Sequence, residues 1–231
     1  MGFPGEIFAR NITPAGIGGW SDGEILRAVV SGVSKDGHAL FPIMNYHRFG
    51  HMDREDVNSI IAYIKSLKPV KQDIQPSKLD FPVNILVHTF PSEPEYVAIP
   101  PKSDKVQYGK YLVNAAGCVD CHSKTDKGNV IAGTEFGGGM VFTQPGGTVT
   151  TPNITPHETG IGSWSREAFV QRFKAFDPSV YKAAKLTPKD LNTPMPWTMY
   201  AGMSEEDLSA IYAYLKSLDG INNKVVTFKK A

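Results

Sequence analysis

The 231-residue chain has few cysteines, no excess of charge of either sign and no long apolar run. Two cysteines are too few for a disulfide-rich secreted scaffold. Lysine and arginine together number 24 against 23 acidic residues, so the chain has no general attraction to nucleic acid or to an anionic membrane. No apolar run reaches the roughly 18 residues that a membrane-spanning helix needs. The first residues also lack the basic and then apolar pattern of a secretory signal.

Two blocks of the sequence occur twice. Residues 11–20 read NITPAGIGGW and residues 153–164 read NITPHETGIGSW. Residues 44–67 and residues 195–218 align without a gap at an offset of 151, and both end in AYxKSL. This agreement predicts two copies of one small domain. Because only ten residues precede the first NITP block, we expect the first copy to be truncated at its N-terminus and to fold poorly alone.

The repeat and a cluster of prolines divide the chain into four segments. Residues 68–103 contain seven of the 17 prolines, and since proline favours extended backbone we expect an ordered linker there. Residues 1–67 then form the truncated first copy, and residues 104–220 form a complete domain. Residues 221–231 remain as a C-terminal tail.

Capping residues and apolar spacing predict a mainly α fold. Ser204 with Asp207 reads as a capping box at the start of the helix that ends in AYLKSL. A further helix is expected over Val106–Ala115, whereas strand signals are short and broken by glycine. The other expected helix starts are Ser21, Asp53 and Ser165.

Both cysteines fall in one motif, Cys118-Val119-Asp120-Cys121-His122. This C-x-x-C-H spacing is the attachment signature of c-type haem. Each thiol can add to one haem vinyl group, and the two intervening residues allow a turn that presents both sulfurs to one edge of the porphyrin. His122 follows where its imidazole can bind iron from the proximal side. The motif therefore predicts one covalently bound haem c.

Two other readings of the cysteines remain to be compared with this one. A thioredoxin-like redox pair would need a βαβ setting, but the surrounding sequence is helical and rich in glycine. A structural zinc site needs about four ligands, and Cys118, Cys121 and His122 supply only three. Both readings therefore fit the sequence less well than haem.

Methionine is the usual second axial ligand in a haem that carries electrons. Met195 lies between Pro194 and Pro196, which stiffen the segment and reduce the cost of ordering the sulfur. It also aligns with Met44 of the first copy. We therefore expect Met195 to be the distal ligand. The other candidates are Met140, Met199 and Met203.

The remaining candidates have simpler structural explanations. Met203 sits where it can pack against the following helix, Met199 has no counterpart in the first copy, and Met140 follows a glycine run that fits either a haem-edge loop or a plain turn. The other histidines form no ligand cluster by spacing, so we expect them to be surface or hydrogen-bonded residues; they are His38, His47, His51, His88 and His157. The aromatic residues expected to pack in the core or around the haem are Trp164, Trp197, Tyr200, Tyr212 and Tyr214.

Because these motifs occur together in this order along the chain, residues 105–219 resemble a class I cytochrome c domain. The chain as a whole is similar to the tandem, dihaem cytochrome c subunits that serve membrane-bound alcohol and aldehyde dehydrogenases. The resemblance implies that Cys118 and Cys121 form the thioethers, that His122 is the proximal ligand and that Met195 is the distal one. In the first copy, Met44 matches the distal position.

The chain departs from this family pattern because its first copy has no C-x-x-C-H motif. By the offset of the NITP blocks, the motif would fall about 25 residues before Met1. The resemblance also implies export to the periplasm or the outer face of the cytoplasmic membrane, where haem is attached in bacteria. We therefore expect that the natural protein begins further upstream and that this chain holds one haem c.

The resemblance implies an electron carrier and not an enzyme. Its expected partners are redox proteins, namely a dehydrogenase as donor and a cytochrome or a terminal oxidase as acceptor, in a complex that can be membrane-associated. The alternatives are a haem enzyme, of the peroxidase-like or thiosulfate-oxidising dihaem kind, and a haem sensor with an open iron position. Nucleic acid is not an expected partner.

Overall fold

The computed structural model of the chain describes residues 4–187 and 189–231. It divides the chain into two compact units, one that ends at Ile99 and one that begins at Pro100. Helices contain 34% of the residues and strands 9%, so helices dominate the regular structure and irregular segments connect them. Within the described ranges, no helix has both the length and the apolar character needed to cross a membrane.

The N-terminal unit includes part of the proline-rich linker. Gly5 of its first strand lies opposite Leu79 of its second, in an antiparallel pair, and Val87 of the linker is buried. The segment 68–99 is therefore ordered and contributes to this unit. The elements in chain order are β1 (Gly5–Glu6), α1 (Pro14–Ile17), α2 (Asp22–Ser31), α3 (Tyr46–Phe49), α4 (Arg54–Ser66), β2 (Lys78–Leu79), α5 (Val83–Leu86) and a 3-10 turn (Val87–Thr89).

Side-chain caps start the two longer helices of this unit. Ser21 and Glu24 form a reciprocal capping box at α2, and Asp53 caps α4 by accepting a hydrogen bond from the amide of Glu55. Both predicted helix starts are therefore confirmed. The apolar side chains that the unit buries together with Val87 are Ile25, Ala28, Val30, Tyr46, Met52, Val57 and Ile61.

The C-terminal unit consists of helices and small antiparallel sheets. The larger sheet has three strands paired in chain order, and its last strand comes from the tail, with Phe228 opposite Val149. The elements in chain order are α6 (Lys105–Ala115), α7 (Cys118–Cys121), β3 (Thr125–Asp126), β4 (Asn129–Val130), β5 (Val141–Gln144), β6 (Gly147–Thr150), α8 (Arg166–Lys174), α9 (Trp197–Tyr200), α10 (Glu205–Lys216) and β7 (Phe228–Lys230).

Capping again matches the sequence. Ser165 accepts a hydrogen bond from the amide of Ala168 at the start of α8, and Ser204 forms a capping box with Asp207 at the start of α10. These two starts and the expected helix over residues 106–115 are confirmed. The buried apolar cluster of the unit consists of Val113, Phe136, Ile161, Phe169, Val170, Leu208, Ile211 and Leu215.

Helices α6 and α10 approach each other at a glycine. A Cβ atom added to Gly109 would lie only 1.9 Å from the backbone oxygen of Ala210. Beside it, the Tyr108 hydroxyl donates a hydrogen bond to the Asp207 carboxylate at 2.8 Å. The crossing therefore holds the helix that precedes the cysteines against the last long helix of the unit.

Matching elements lie at a constant offset in the two units. Helices α3 and α9 have four residues each and start 151 positions apart, as do the starts of α4 and α10. The side-chain Oδ1 of Asn11 accepts hydrogen bonds from the amide and the hydroxyl of Thr13 at 3.0 and 2.8 Å. Asn153 accepts the same two bonds from Thr155 at 2.9 and 2.7 Å. The repeated sequence blocks thus form the same local structures.

Replacing Gly109 with alanine should destabilise the C-terminal unit by about 3 kcal/mol. The added Cβ would overlap the backbone oxygen of Ala210, and the overlap is relieved only when the two helices separate. Guanidinium unfolding of the haem-loaded protein, followed by circular dichroism, measures the loss of free energy of unfolding.

Gly23 in α2 provides the matched control for a glycine-to-alanine change in a helix. A Cβ atom at Gly23 meets no other atom within 4 Å. Alanine has the higher helix propensity, so we expect Gly23→Ala to be neutral or stabilising. Equal destabilisation by both substitutions would contradict the close approach at Gly109.

Candidate haem-binding site

The two cysteines lie on the single helical turn α7. Gly117 leads into this turn with φ of +64°, a left-handed conformation that glycine adopts without steric cost. Cys118 is half-buried and packs against the apolar cluster of the unit, whereas Cys121 is exposed. Because they are three residues apart on a helix, the two thiols lie on the same face of the turn.

The pKa values of the two thiols are shifted in the opposite direction to that of a redox-active cysteine. Burial raises the pKa of the Cys118 thiol to about 12, with smaller contributions from Cys121 and Asp120. Burial and the Asp120 carboxylate also raise the pKa of Cys121. A thioredoxin-like pair instead has a lowered pKa, because its thiolate is the nucleophile. The environment therefore disfavours the redox-pair reading of this motif.

His122 follows the turn with its ring inside the protein. The residue is 8% exposed, and its Nδ1 lies 2.9 Å from the carbonyl oxygen of Pro152. Because a carbonyl can only accept, Nδ1 carries the proton and the lone pair of Nε2 is available to a metal. Burial lowers the pKa of His122, and the hydrogen bond to Pro152 partly opposes this shift, so the ring is neutral at pH 7.

The glycine run after the motif fastens the His122 segment to the strand that precedes Pro152. The amide of Gly138 donates to the carbonyl of His122 at 2.8 Å. The Thr151 hydroxyl accepts from the amides of Gly139 and Met140 at 3.1 and 3.0 Å. The run therefore lies on the same side of the site as His122 and aligns the Pro152 carbonyl with the imidazole.

Asn153 fixes the loop on the other side of Pro152. Its side-chain oxygen accepts from Thr155, and its amide nitrogen donates to the carbonyl of Ile221 at 2.7 Å and to the hydroxyl of Thr159 at 3.0 Å. The residue is 3% exposed. One buried side chain thus joins the loop that carries the histidine's acceptor to the C-terminal tail.

In residues 4–187 and 189–231, no three His, Cys, Asp or Glu side chains are placed to hold a metal ion. A structural zinc ion would need about four such ligands. The other histidines are hydrogen-bonded or exposed, as expected. His38 contacts Ser34, His47 contacts Ser92, His51 contacts Glu95, His157 contacts Thr159, and His88 is exposed.

Comparison with known proteins identifies the domain that contains this site. Residues 106–219 match the family model for cytochrome c, a range that includes the cysteine turn, His122 and the Pro152 loop. This domain belongs to the cytochrome c family. The resemblance drawn from its sequence motifs is therefore confirmed.

Several curated relatives are cytochrome subunits. The chain is 29% identical to the fructose dehydrogenase cytochrome subunit of Gluconobacter japonicus, over 93% of this chain and 45% of that protein. It is 30% identical to the cytochrome c subunit of the quinone alcohol dehydrogenase of Gluconacetobacter polyoxogenes, over 93% and 48%. It is 26% identical to a diheme cytochrome c-type protein of Cereibacter sphaeroides, over 94% and 73%. The chain spans about half the length of the first two relatives.

The residues of this cytochrome c domain fit a covalently bound haem c. Two neutral thiols share one face of a short turn, and the next residue is a buried neutral imidazole whose Nδ1 is already engaged. A carbonyl acceptor of this kind fixes the ring orientation and increases the basicity of the ligating nitrogen. The donor set therefore suits thioether attachment and proximal ligation by His122.

The four candidate methionines of the cytochrome c domain lie in different surroundings. Met195 is half-buried, and its amide donates to the Thr193 hydroxyl at 3.1 Å. Met199 is 74% exposed. Met203 packs against the apolar cluster, as its helix-staple position predicted. Met140 belongs to the glycine run on the His122 side.

Three contributions to the site were missed in the sequence. The Pro152 carbonyl is a backbone group, so residue type gives no sign of it. The role of Asn153 had a signal, because an asparagine two residues before a threonine favours a side-chain turn and NITP occurs twice. Tyr200 was expected only to pack, but its hydroxyl donates to the carbonyl of Ala116 at 2.7 Å.

Replacing Asn153 with alanine should lower the free energy of unfolding by about 2–3 kcal/mol, since it leaves several buried polar groups without their partner. The Thr155 amide and the Ile221 carbonyl both lose a hydrogen bond inside the protein. Guanidinium unfolding of the haem-loaded protein measures this loss.

Asn222 supplies the control, because it is exposed and follows Ile221 in the C-terminal tail. We expect Asn222→Ala to change the free energy of unfolding by less than about 0.5 kcal/mol. If Asn153→Ala were as mild as Asn222→Ala, the Pro152 loop would not depend on the Asn153 side chain.

Proposed function

We propose that this chain carries electrons through a single haem c, bound covalently at Cys118 and Cys121, with His122 and Met195 as axial ligands. The observation that carries the proposal is the buried neutral imidazole of His122, held by Pro152 directly after two thiols on one turn of a cytochrome c domain. When bound, haem c supplies an iron centre that alternates between the ferrous and ferric states. One haem is proposed because the chain contains one C-x-x-C-H motif.

The surroundings of the four methionines support Met195 as the distal ligand. A distal ligand approaches from the face opposite His122, whereas Met140 is joined through Thr151 to the His122 side. Met203 is already used in the apolar cluster. Met195 lies at the start of a segment whose Tyr200 hydroxyl reaches the carbonyl of Ala116, two residues before Cys118. That segment is therefore held beside the cysteine turn.

Two axial ligands from the protein favour electron transfer over the haem-enzyme and haem-sensor alternatives. An enzyme of the peroxidase-like or thiosulfate-oxidising kind, or a sensor, needs an iron position that another molecule can occupy. His122 and Met195 together would fill both positions. The role of the chain would then be to fix the ligands and to tune the reduction potential through burial and hydrogen bonds.

We propose a dehydrogenase as the electron donor and a cytochrome or a terminal oxidase as the acceptor. The relatives named as cytochrome subunits of fructose and quinone alcohol dehydrogenases support the donor class. The corresponding location is the periplasm or the outer face of the cytoplasmic membrane, where the complex can be membrane-associated. The near-neutral charge of the chain favours docking through a local patch over long-range steering.

We also propose that residues 1–67 and 104–220 are two copies of one cytochrome c-like fold, joined by the linker 68–103 and followed by the tail 221–231. The shared Asn-Thr turn and the constant offset of α3 and α9 support this division. Met44 then corresponds to Met195.

Met195→Ala should leave haem attached but open the distal position. Carbon monoxide binds ferrous iron only where a coordination position is free, so the variant should bind it readily and the parent protein should not. Visible spectra of the reduced protein with and without carbon monoxide make the comparison. Haem content per chain, measured on the same samples, should remain one.

Met199→Ala is the matched control, since Met199 lies four residues away and is 74% exposed. Its reduced spectrum should not respond to carbon monoxide. A response in Met199→Ala without one in Met195→Ala would reassign the distal ligand to Met199. A parent protein that already binds carbon monoxide would favour the enzyme or sensor alternative.

A further inference from the structure

One hydrogen bond connects the Met195 segment to the turn that carries the cysteines. The Tyr200 hydroxyl at the end of α9 donates to the carbonyl oxygen of Ala116 at 2.7 Å, across 84 positions of sequence. Ala116 is the C-terminal cap of α6 and precedes Cys118 by two residues. The bond is partly buried, so water competes with it less than with a surface bond. It therefore links the distal segment to the covalent attachment point.

Contacts with α8 and with Phe176, just after it, also hold α9. The Trp197 ring stacks on Phe176 at 4.9 Å and packs against Phe173 at 5.3 Å. The Lys174 ammonium donates to the carbonyl of Ala201 at 2.9 Å, directly after α9. These contacts hold α9 against α8. They do not set the distance between α9 and the cysteine turn, which are joined by the Tyr200 hydrogen bond.

The Tyr200 hydroxyl remains a donor across the working pH range of a cytochrome. Burial raises its pKa to about 12, and the nearby Cys118, Cys121 and Asp120 contribute in the same direction. The phenol is thus protonated at neutral and moderately alkaline pH. Removing it leaves the Ala116 carbonyl without this partner in a partly buried place.

We propose that Tyr200 is a positioning residue that keeps the Met195 sulfur on ferric iron. The inference rests on the proposed ligation by Met195. A thioether is a soft ligand, so its bond to iron is weaker in the harder ferric state, and small displacements of the segment then release it. The hydrogen bond to Ala116 opposes that displacement by holding α9 beside the cysteine turn.

The test is a titration of the ferric, haem-loaded protein with imidazole, followed by visible absorption. Imidazole binds iron only when methionine is off, so its apparent affinity is proportional to the fraction of protein with an open position. We expect Tyr200→Phe to raise this affinity about tenfold, a change of about 1.4 kcal/mol. An unchanged affinity in Tyr200→Phe would overturn the proposal.

Tyr212→Phe is the matched control. The Tyr212 hydroxyl donates to the carbonyl of Trp164 at 2.8 Å, so the substitution deletes the same kind of bond in the same domain, away from the Met195 segment. Tyr212→Phe should leave the imidazole affinity unchanged, even where its loss of thermal stability matches that of Tyr200→Phe. An equal rise in affinity in both variants would attribute the effect to general destabilisation and reject the positioning role.

Met195→Ala in the same titration separates the two proposals. If Met195 is the ligand, this variant binds imidazole more tightly than any tyrosine variant, and adding Tyr200→Phe to it has no further effect. If Met195→Ala binds imidazole like the parent protein, the ligand assignment is wrong. If Met195→Ala responds but Tyr200→Phe does not, the ligand assignment stands and only the role of Tyr200 fails. An additive rise in the double variant would show that Tyr200 acts on something other than Met195.

Discussion

The hydrogen bond from the His122 imidazole to the Pro152 carbonyl is the constraint on which the candidate haem site depends. It assigns the proton to Nδ1, orients the ring and leaves Nε2 available. A carbonyl can do this only where the backbone is fixed. The glycine run before Pro152 and the buried Asn153 after it provide that rigidity from both directions. The β-sheet and the tail therefore serve the proximal side, although neither carries a ligand.

Different interactions hold the segments on the two sides of the candidate site. On the proposed proximal side, the short cysteine turn and a chain of buried hydrogen bonds leave His122 little freedom. On the proposed distal side, Met195 lies in an irregular segment whose position depends on aromatic packing and on the Tyr200 hydrogen bond. Such contacts are individually weak, so we expect single substitutions on the proposed distal side to alter ligation without unfolding the domain.

Local signals in the sequence predicted much of this structure. The caps at Ser21 and Ser204 and the turn at the two cysteines each depend on residues within four or five positions, and all three form as expected. The features that the sequence did not predict depend on contacts between segments far apart in the chain. The pairing of Phe228 with Val149 and the approach of Gly109 to Ala210 join segments that are far apart in sequence, so periodicity carries no information about them. Pro152 acts through its backbone, which residue type cannot reveal.

The N-terminal unit repeats some of the local structure of the C-terminal unit. It contains the helices α3 and α4 at the same offset from α9 and α10, and Asp53 caps α4. Its Asn11 turn repeats the geometry around Asn153. Its sequence nevertheless contains no cysteine and no histidine in a C-x-x-C-H setting. A linker strand and the buried Val87 contribute to this unit instead. The helices that match α9 and α10 are thus specified by short-range signals and apolar faces, whereas the geometry around His122 depends on long-range contacts within the C-terminal unit.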